Sequence, residues 1–281
     1  MPTASERSRL ISIVQSRQNA RVRELRAAFV RSGREPAEPI ALEGEHLLAE
    51  ALRSGLPLRT VFVRHDPRHH EARLRLLARL QIPASVPIVE LTPPVFDSAV
   101  ETESPQGIAA LADPPRFSLD DLFRPPAPLI VIAAGLQDPG NFGTLIRSAE
   151  AFGSSGVVAL PGTVFVWNSK VLRASAGSAF RVPVILEKPA AALAALAQRR
   201  IPVVAAVPAS SGAEAVACNQ IDWTRPAALL IGNEGSGLSQ DLLDRADQLV
   251  SIPTPGPVES LNAAVAASVL LYEAARQRGK T

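Results

Sequence analysis

Three short stretches in the C-terminal half of this 281-residue chain combine residue types that suit a bound ligand carrying polar and anionic groups. The first, Leu129 to Gly153, runs from an apolar segment into Asp138-Pro139-Gly140-Asn141 and then a helix-forming stretch with Arg147. The second, Ala228 to Ser239, empties into Gly232-Asn233-Glu234-Gly235. The third, Leu249 to Arg278, passes through Ile252-Pro253 and Thr254-Pro255-Gly256-Pro257 to Glu259-Ser260-Leu261-Asn262. Glycine turns let main-chain N–H and C=O groups approach a ligand with no side chain between. An arginine beside a loop grips a phosphate with two parallel hydrogen bonds, and the N–H groups opening a helix receive an anion. Read singly, each has a structural explanation: Gly232 and Gly235 permit tight turns, Ile252 and Leu261 are core, Arg147 is a solvated helix residue, and Ser260 fits an N-cap.

Other chemistries lack their parts. Ser236 has no G-x-S-x-G context and no histidine follows His70, which excludes a Ser-His triad from this half. Gly235-Ser236-Gly237 half-matches a dinucleotide fingerprint, but Gln240 stands where its third glycine belongs, and no phosphate loop of the GxxxxGK[ST] kind occurs. Cys218 is the only cysteine and has no histidine near it, so it reads as a structural thiol, not a nucleophile. His65, His69 and His70 share a charged connecting loop without a carboxylate placed behind them, so they read as surface histidines and no metal is expected.

The elements that must position these stretches alternate. From Leu129 onward, apolar strands (LIVIAAG, GVVAL, VPVI, PVVAAVP, ALLIG, QLVSIP) are separated by helices at Asn141–Phe152, in VWNSKVLRASAGSAF, from Pro189 to Arg200, from about Gln240, and from Ser260 to Arg278. Such alternation predicts a mostly parallel sheet covered on both faces. Ligands then bind beyond the strands' carboxyl ends, where all three stretches fall. Before residue 113, strand-like PIALE, LRTVFVR and VPIVEL, the run PQGIAALA and amphipathic helices predict a smaller three-layer α/β domain. Its first helix is capped by Ser16 or Asn19 and buries Val22, Leu25, Phe29 and Val30. The Pro-dense stretch Asp113 to Pro128 reads as a linker, giving an N-terminal domain over 1–115, a linker over 116–127 and a C-terminal domain over 128–281.

Nearly half the residues are apolar and the net charge is +2, with lysine only at Lys170, Lys188 and Lys280. The N-terminus concentrates Arg7, Arg9, Arg17, Arg21, Arg23, Arg26, Arg31 and Arg34 against only Glu6 and Glu24, a balance that attracts a polyanion or simply solvates a helix face. The start lacks the apolar core of a signal peptide and no apolar run is long enough to span a membrane, so a cytoplasmic protein is expected.

The three stretches together resemble the signature motifs of the SpoU/TrmH family of RNA ribose methyltransferases. Asn141, Arg147, Ala149 and Gly153 match the first motif. Gly232-Asn233-Glu234-Gly235 with Gly237-Leu238 match the second, and Ile252-Pro253 with Glu259-Ser260-Leu261-Asn262 the third. The resemblance implies a Rossmann-like domain tied into a trefoil knot, preceded by a substrate-binding domain. It implies S-adenosyl-L-methionine as cofactor, held by Gly232, Gly235, Ile252 and Leu261, and transfer of a methyl group to a ribose 2′-hydroxyl. Arg147 would be catalytic, with Asn141, Glu234, Ser260 and Asn262 holding the loops and substrate. The implied partners are RNA, with ribosomal RNA expected, bound through the N-terminal domain and the arginine cluster, and a second copy of the chain. A transfer RNA methyltransferase and an RNA-binding or ribosome-assembly protein that has lost catalysis are the alternatives. Phe142, where relatives carry a smaller aliphatic, and the Pro-rich loop bear on the last, because both adjoin the expected pocket.

Overall fold

The computed structural model describes residues 10–31, 38–211 and 214–279. The chain divides into two compact units, one running to Pro115 and including Trp167–Phe180, the other holding Arg116–Val166 and the chain from Arg181 onward. Arg7, Arg9 and Arg34 of the expected basic cluster lie outside the described residues.

The first unit is built on five strands: β1 (Leu10–Val14), β2 (Ile40–Glu43), β3 (Leu58–Arg64), β4 (Ile88–Leu91) and β5 (Ile108–Ala112), in the order β1-β4-β3-β5-β2. The first three in that order are parallel, whereas β5 runs antiparallel to both neighbours, with Val63 facing Ile108 and Leu42 facing Ala110. Strand β1 was not foreseen, because LISIV sits directly after a charged, polar start. Helices α1 (Ala20–Arg31), α2 (Glu45–Arg53), α3 (His70–Leu80) and α4 (Pro93–Asp97) connect the strands. Asn19 caps α1 by accepting from the Arg21 N–H at 2.9 Å. Val22, Leu25, Ala28 and Phe29 of α1 form one core cluster with Phe62, Val89, Phe96 and Leu111. Val30, expected on that face, is 71% exposed: one residue beyond Phe29, it is turned about 100° off the buried stripe.

The second unit carries seven strands: β6 (Leu129–Ala133), β7 (Gly156–Ala159), β8 (Val184–Leu186), β9 (Val203–Ala206), β10 (Val216–Ala217), β11 (Ala227–Ile231) and β12 (Gln248–Ser251). Their order is β10-β12-β9-β11-β6-β7-β8, and every pairing is parallel. Buried on both faces, β6, β7 and β11 read as unbroken apolar runs for that reason. Helices α5 (Pro139–Ala151), α7 (Pro189–Gln198), α8 (Gln240–Leu243) and α9 (Ala263–Gln277) cover the sheet. One face packs Ile130, Ile132, Val158, Val203 and Leu230 against Ala192 and Leu196 of α7. Helices α5 and α9 contact each other, and Ser148 and Ser268 hydroxyls meet at 2.7 Å. Phe152 and Tyr272 add an edge-to-face ring contact at 5.9 Å.

Three sequence expectations change. Strand β10 is extra, a two-residue addition at the sheet edge just before Cys218. Burial pushes the Cys218 thiol up from its ordinary range, as an inert structural thiol requires. The helix expected across VWNSKVLRASAGSAF is only α6 (Ser169–Ser175), stopped by left-handed Ala176 and by Gly177 at φ +88°. This segment belongs to the first unit, where a Cβ on Gly177 would lie 2.5 Å from Glu50 Cβ. Finally, α9 starts at Ala263, not Ser260. Its N-cap is Asn262, whose Oδ1 accepts from the Ala264 and Val265 N–H groups at 2.9 and 3.2 Å. No helix among the described residues is long and apolar enough to cross a membrane.

Candidate active site

The carboxyl ends of β9, β11 and β12 open into three loops that enclose a cleft of about 190 Å³, open on one side to solvent. Ala206–Ala209 form one wall, Gly232–Gly235 with Gly237 a second, and Ile252, Thr254 and Glu259–Leu261 the third. Ile231, Val250, Ala266 and Leu270 supply an apolar floor.

The second loop is fixed by its own backbone. Asn233 and Gly237 exchange two main-chain hydrogen bonds of 3.0 Å. Asn233 Oδ1 accepts from the N–H groups of Gly235 (2.8 Å) and Ser236 (3.1 Å), and its Nδ2 donates to the Gly135 carbonyl at 2.7 Å. The turn therefore closes so tightly that a Cβ at Gly232 would lie 2.5 Å from the Gly237 carbonyl carbon and 2.7 Å from its oxygen. The sequence signal for this role of Asn233 is its place between Gly232 and Gly235, where an Asx side chain closes a turn.

A side-chain relay ties the three stretches together. Asn141 Nδ2 donates to Glu234 Oε1 at 2.9 Å, and Asn262 Nδ2 donates to Asn141 Oδ1 at 3.0 Å. Asn141 itself sits in the first turn of α5, where Asp138 caps its N–H at 2.7 Å. Each amide thus links two loops that are 93 and 121 residues apart in sequence.

Of the nine residues singled out from sequence, Gly232, Gly235, Ile252, Leu261, Glu234 and Ser260 line the cleft, and Asn141 and Asn262 join the relay beside it. Ser260 is exposed and caps nothing. Arg147 stands apart. It is six residues beyond Asn141, about 9 Å further along the helix and turned well away from it, so the two do not share the N-terminal end of α5. Arg147 is exposed and meets no carboxylate among the described residues. Phe142 is fully buried and does not line the cleft. The loop Ala206–Ala209 was missed as a wall. Its signal was the Pro208 break after an apolar strand, the same strand-to-loop pattern as in the three motifs.

A ligand cleft at the carboxyl edge of an all-parallel, helix-covered sheet defines an α/β protein of the Rossmann-like kind. The chain belongs to the SpoU rRNA Methylase family, which its residues 128–272 match, while residues 19–110 match the MRM3-like substrate binding domain. It is 31% identical over 259 residues to the 23S rRNA (guanosine(2553)-2'-O)-methyltransferase RlmP of Bacillus subtilis, covering 92% of this chain and 97% of that one. Among solved structures it is similar to an AdoMet-bound rRNA methyltransferase from Sinorhizobium meliloti, with a TM-score of 0.77 and 27% identity, covering 95% and 98% of the two chains. It is also similar to the SpoU methyltransferase AviRb from Streptomyces viridochromogenes in complex with AdoMet, with a TM-score of 0.76 and 29% identity over 94% and 100% of the chains.

Proposed function

We propose that this protein is an S-adenosyl-L-methionine-dependent RNA 2′-O-ribose methyltransferase acting on ribosomal RNA in the cytoplasm. The observation that carries the reading is the relay from Asn262 through Asn141 to Glu234, which joins all three motif loops at the rim of one cleft. The cleft suits the cofactor: Ile252, Leu261 and Leu270 offer apolar surface to a purine, and the Gly232–Gly237 turn offers main-chain groups to its edge and ribose. The cofactor supplies an electrophilic methyl group on a sulfonium. Asn233, Asn141 and Asn262 hold the loops still while it binds. Glu234 and Ser260 border the space where the ribose hydroxyl enters. Arg147, a permanent cation, would offset charge developing on the ribose oxygen as its proton passes to bulk water. The ribosomal assignment draws on the full-length likeness to RlmP and on the matched substrate-binding domain.

The chain acts as a homodimer in this reading. Val265, Val269 and Tyr272 are 48, 37 and 48% exposed and recur along one face of α9 at helical spacing, an apolar stripe open to a partner. Since α5 packs against α9, a copy docked on that stripe lies beside Arg147 and accounts for its distance from the cleft of its own chain. The trefoil knot is part of the same reading and rests on membership of the SpoU family. Light scattering settles the dimer, with Val269→Asp expected to yield monomers.

The deciding experiment pairs titration calorimetry of S-adenosylmethionine with transfer of labelled methyl to ribosomal RNA. Wild type should bind the cofactor and transfer the label to riboses, whereas Arg147→Ala should bind it normally and transfer about 10²–10³ times more slowly. A folded wild-type protein that binds no cofactor would sink the reading and leave the binding-only alternative.

A further inference from the structure

The histidines of the first unit, set aside in the sequence as surface residues, sit on a built polar cluster. Glu90, at the end of β4, is 8% exposed and takes His65 Nδ1 at 2.7 Å and Arg73 Nη2 at 3.0 Å. The same Arg73 nitrogen lies 2.7 Å from His70 Nδ1, and Arg64 beside them pairs with Asp97 of α4. These contacts set the tautomers of the neutral rings. A carboxylate only accepts, so neutral His65 donates from Nδ1 and keeps Nε2 as an acceptor; a guanidinium only donates, so His70 accepts at Nδ1 and carries its hydrogen on Nε2. One ring offers an acceptor and the other a donor, each held in place.

The cluster lies at the carboxyl edge of the parallel strands. His65 N–H donates to the Leu91 carbonyl and Thr92 N–H to the Val14 carbonyl, so the loops after β3, β4 and β1 stand side by side. The loop after β1 carries exposed Arg17 and leads into Arg21 and Arg23 in the opening turns of α1. That helix has no acid in its first turn, and cations there oppose its dipole. Every arginine from Arg53 to Arg79 meets a carboxylate. Arg17, Arg21 and Arg23 meet none among the described residues, and Arg21 Nη1 is shielded from solvent with no acceptor. Uncompensated charge gathered at one edge is costly unless an anion takes it.

We propose that this edge is where the first unit holds the RNA backbone, with Arg17 and Arg23 on phosphates and the His65–His70 pair reading a ribose 2′-hydroxyl. The proposal rests on the RNA reading above and adds the face and a device for telling RNA from DNA. A 2′-hydroxyl is both donor and acceptor, the complement of His70 Nε2–H and His65 Nε2. Glu90 and Arg73 are positioning residues.

The test measures fluorescence anisotropy of the full chain with a labelled stem–loop, made as RNA and as DNA of the same sequence, across a potassium chloride series. Wild type should prefer the RNA about tenfold. His65→Ala/His70→Ala should lose that preference while its DNA affinity stays put, since the 2′-hydroxyl is what separates the two strands. Arg17→Ala/Arg23→Ala, with both side chains exposed and meeting no carboxylate among the described residues, should weaken RNA and DNA alike and lower the salt slope by about 1.4–1.8, the yield of two phosphate contacts. Arg53→Ala/Arg75→Ala, which removes two paired charges elsewhere, should change neither. An RNA preference kept by the histidine variant, or equal losses in the control, overturns the proposal and leaves the methyltransferase reading standing. Wild type that binds no RNA overturns both.

Discussion

The two units solve the problem of holding a ligand in opposite ways. In the second, seven parallel strands deliver their loops to one edge, and the cleft there is shaped by main chain: the Gly232–Gly237 turn, its Asn233 ties and the asparagine relay. In the first, the sheet mixes directions, and its corresponding edge is furnished with arginine and histidine side chains positioned by buried Glu90 and Arg73. A site made of backbone has a fixed shape and fails abruptly when that shape is denied. A site made of side-chain charge is graded, each contact adding its share and salt eroding all of them.

The sharpest break of that contrast is Gly232→Ala. Its methyl would have to occupy space 2.5–2.7 Å from the Gly237 carbonyl and the Leu238 nitrogen. These are backbone atoms, so the turn itself must open. We expect S-adenosylmethionine affinity to fall by about 100-fold or more, the scale on which misplaced active-site groups are felt, while RNA binding by the same protein is unchanged. Calorimetry and anisotropy on one preparation separate the two. Cofactor affinity within threefold of wild type would show that the turn is not what forms the cleft.

The first unit has its own vulnerable point, beneath the surface charges. Arg73→Ala strands Glu90 at 8% exposure, with His65 the one partner left to it among the described residues. Breaking a buried ion pair from one side costs about 3–5 kcal/mol. Urea unfolding should show the first unit lost early and the second untouched, two transitions where wild type has fewer. A single shared loss would mean that the two units unfold as one.

This division also explains what was legible in the sequence. The second unit's strands were readable as apolar runs because parallel strands are buried on both faces, and its cleft residues because glycine and asparagine at turns have few other uses. What failed there was local. Ser260 looked like the cap of α9, yet Asn262 caps it, because its side-chain oxygen is the one that accepts from the Ala264 and Val265 N–H groups. In the first unit, β1 was hidden behind its polar flank, and the Glu90–Arg73–His65–His70 cluster was invisible because its members come from three elements up to 25 residues apart. Sequence lists charges; only the fold says which of them are cancelled. Arg147 shows the same limit from the other side, its type and motif being plain while its neighbours in one chain explain nothing about it.

A smaller effect tests how the cleft unit is locked at its far end. Glu273 of α9 accepts from Arg276 Nε and Nη2 and from Gln277 Nε2, all at 2.8 Å, and these bonds hold its carboxyl at about 2 against an ordinary 4.5. A depressed carboxyl stabilises the fold above pH 4.5 and loses that contribution as pH falls through about 2. Glu273→Gln should therefore cost roughly 1–2 kcal/mol at neutral pH, and the gap from wild type should close as pH is lowered from 4.5 towards 2. A gap that stays constant with pH would assign the loss to packing.

The smallest effect belongs to the arginines that are already cancelled. Arg75 and Glu71 pair at 3.5 Å on α3 with 74 and 85% of their side chains exposed. A pair so open to water and salt is worth about 0.3–0.5 kcal/mol, so Arg75→Ala should leave thermal stability nearly unmoved and RNA affinity unmoved. Arg23→Ala removes the same charge from the same unit, yet from a position where no carboxylate among the described residues has spent it, and RNA affinity should fall measurably while stability holds or rises slightly as repulsion at the start of α1 is relieved. The two variants together separate net charge from uncancelled charge. If they weaken RNA binding equally, the first unit attracts RNA by its overall field, and the contrast drawn between a placed edge and a diffuse surface collapses.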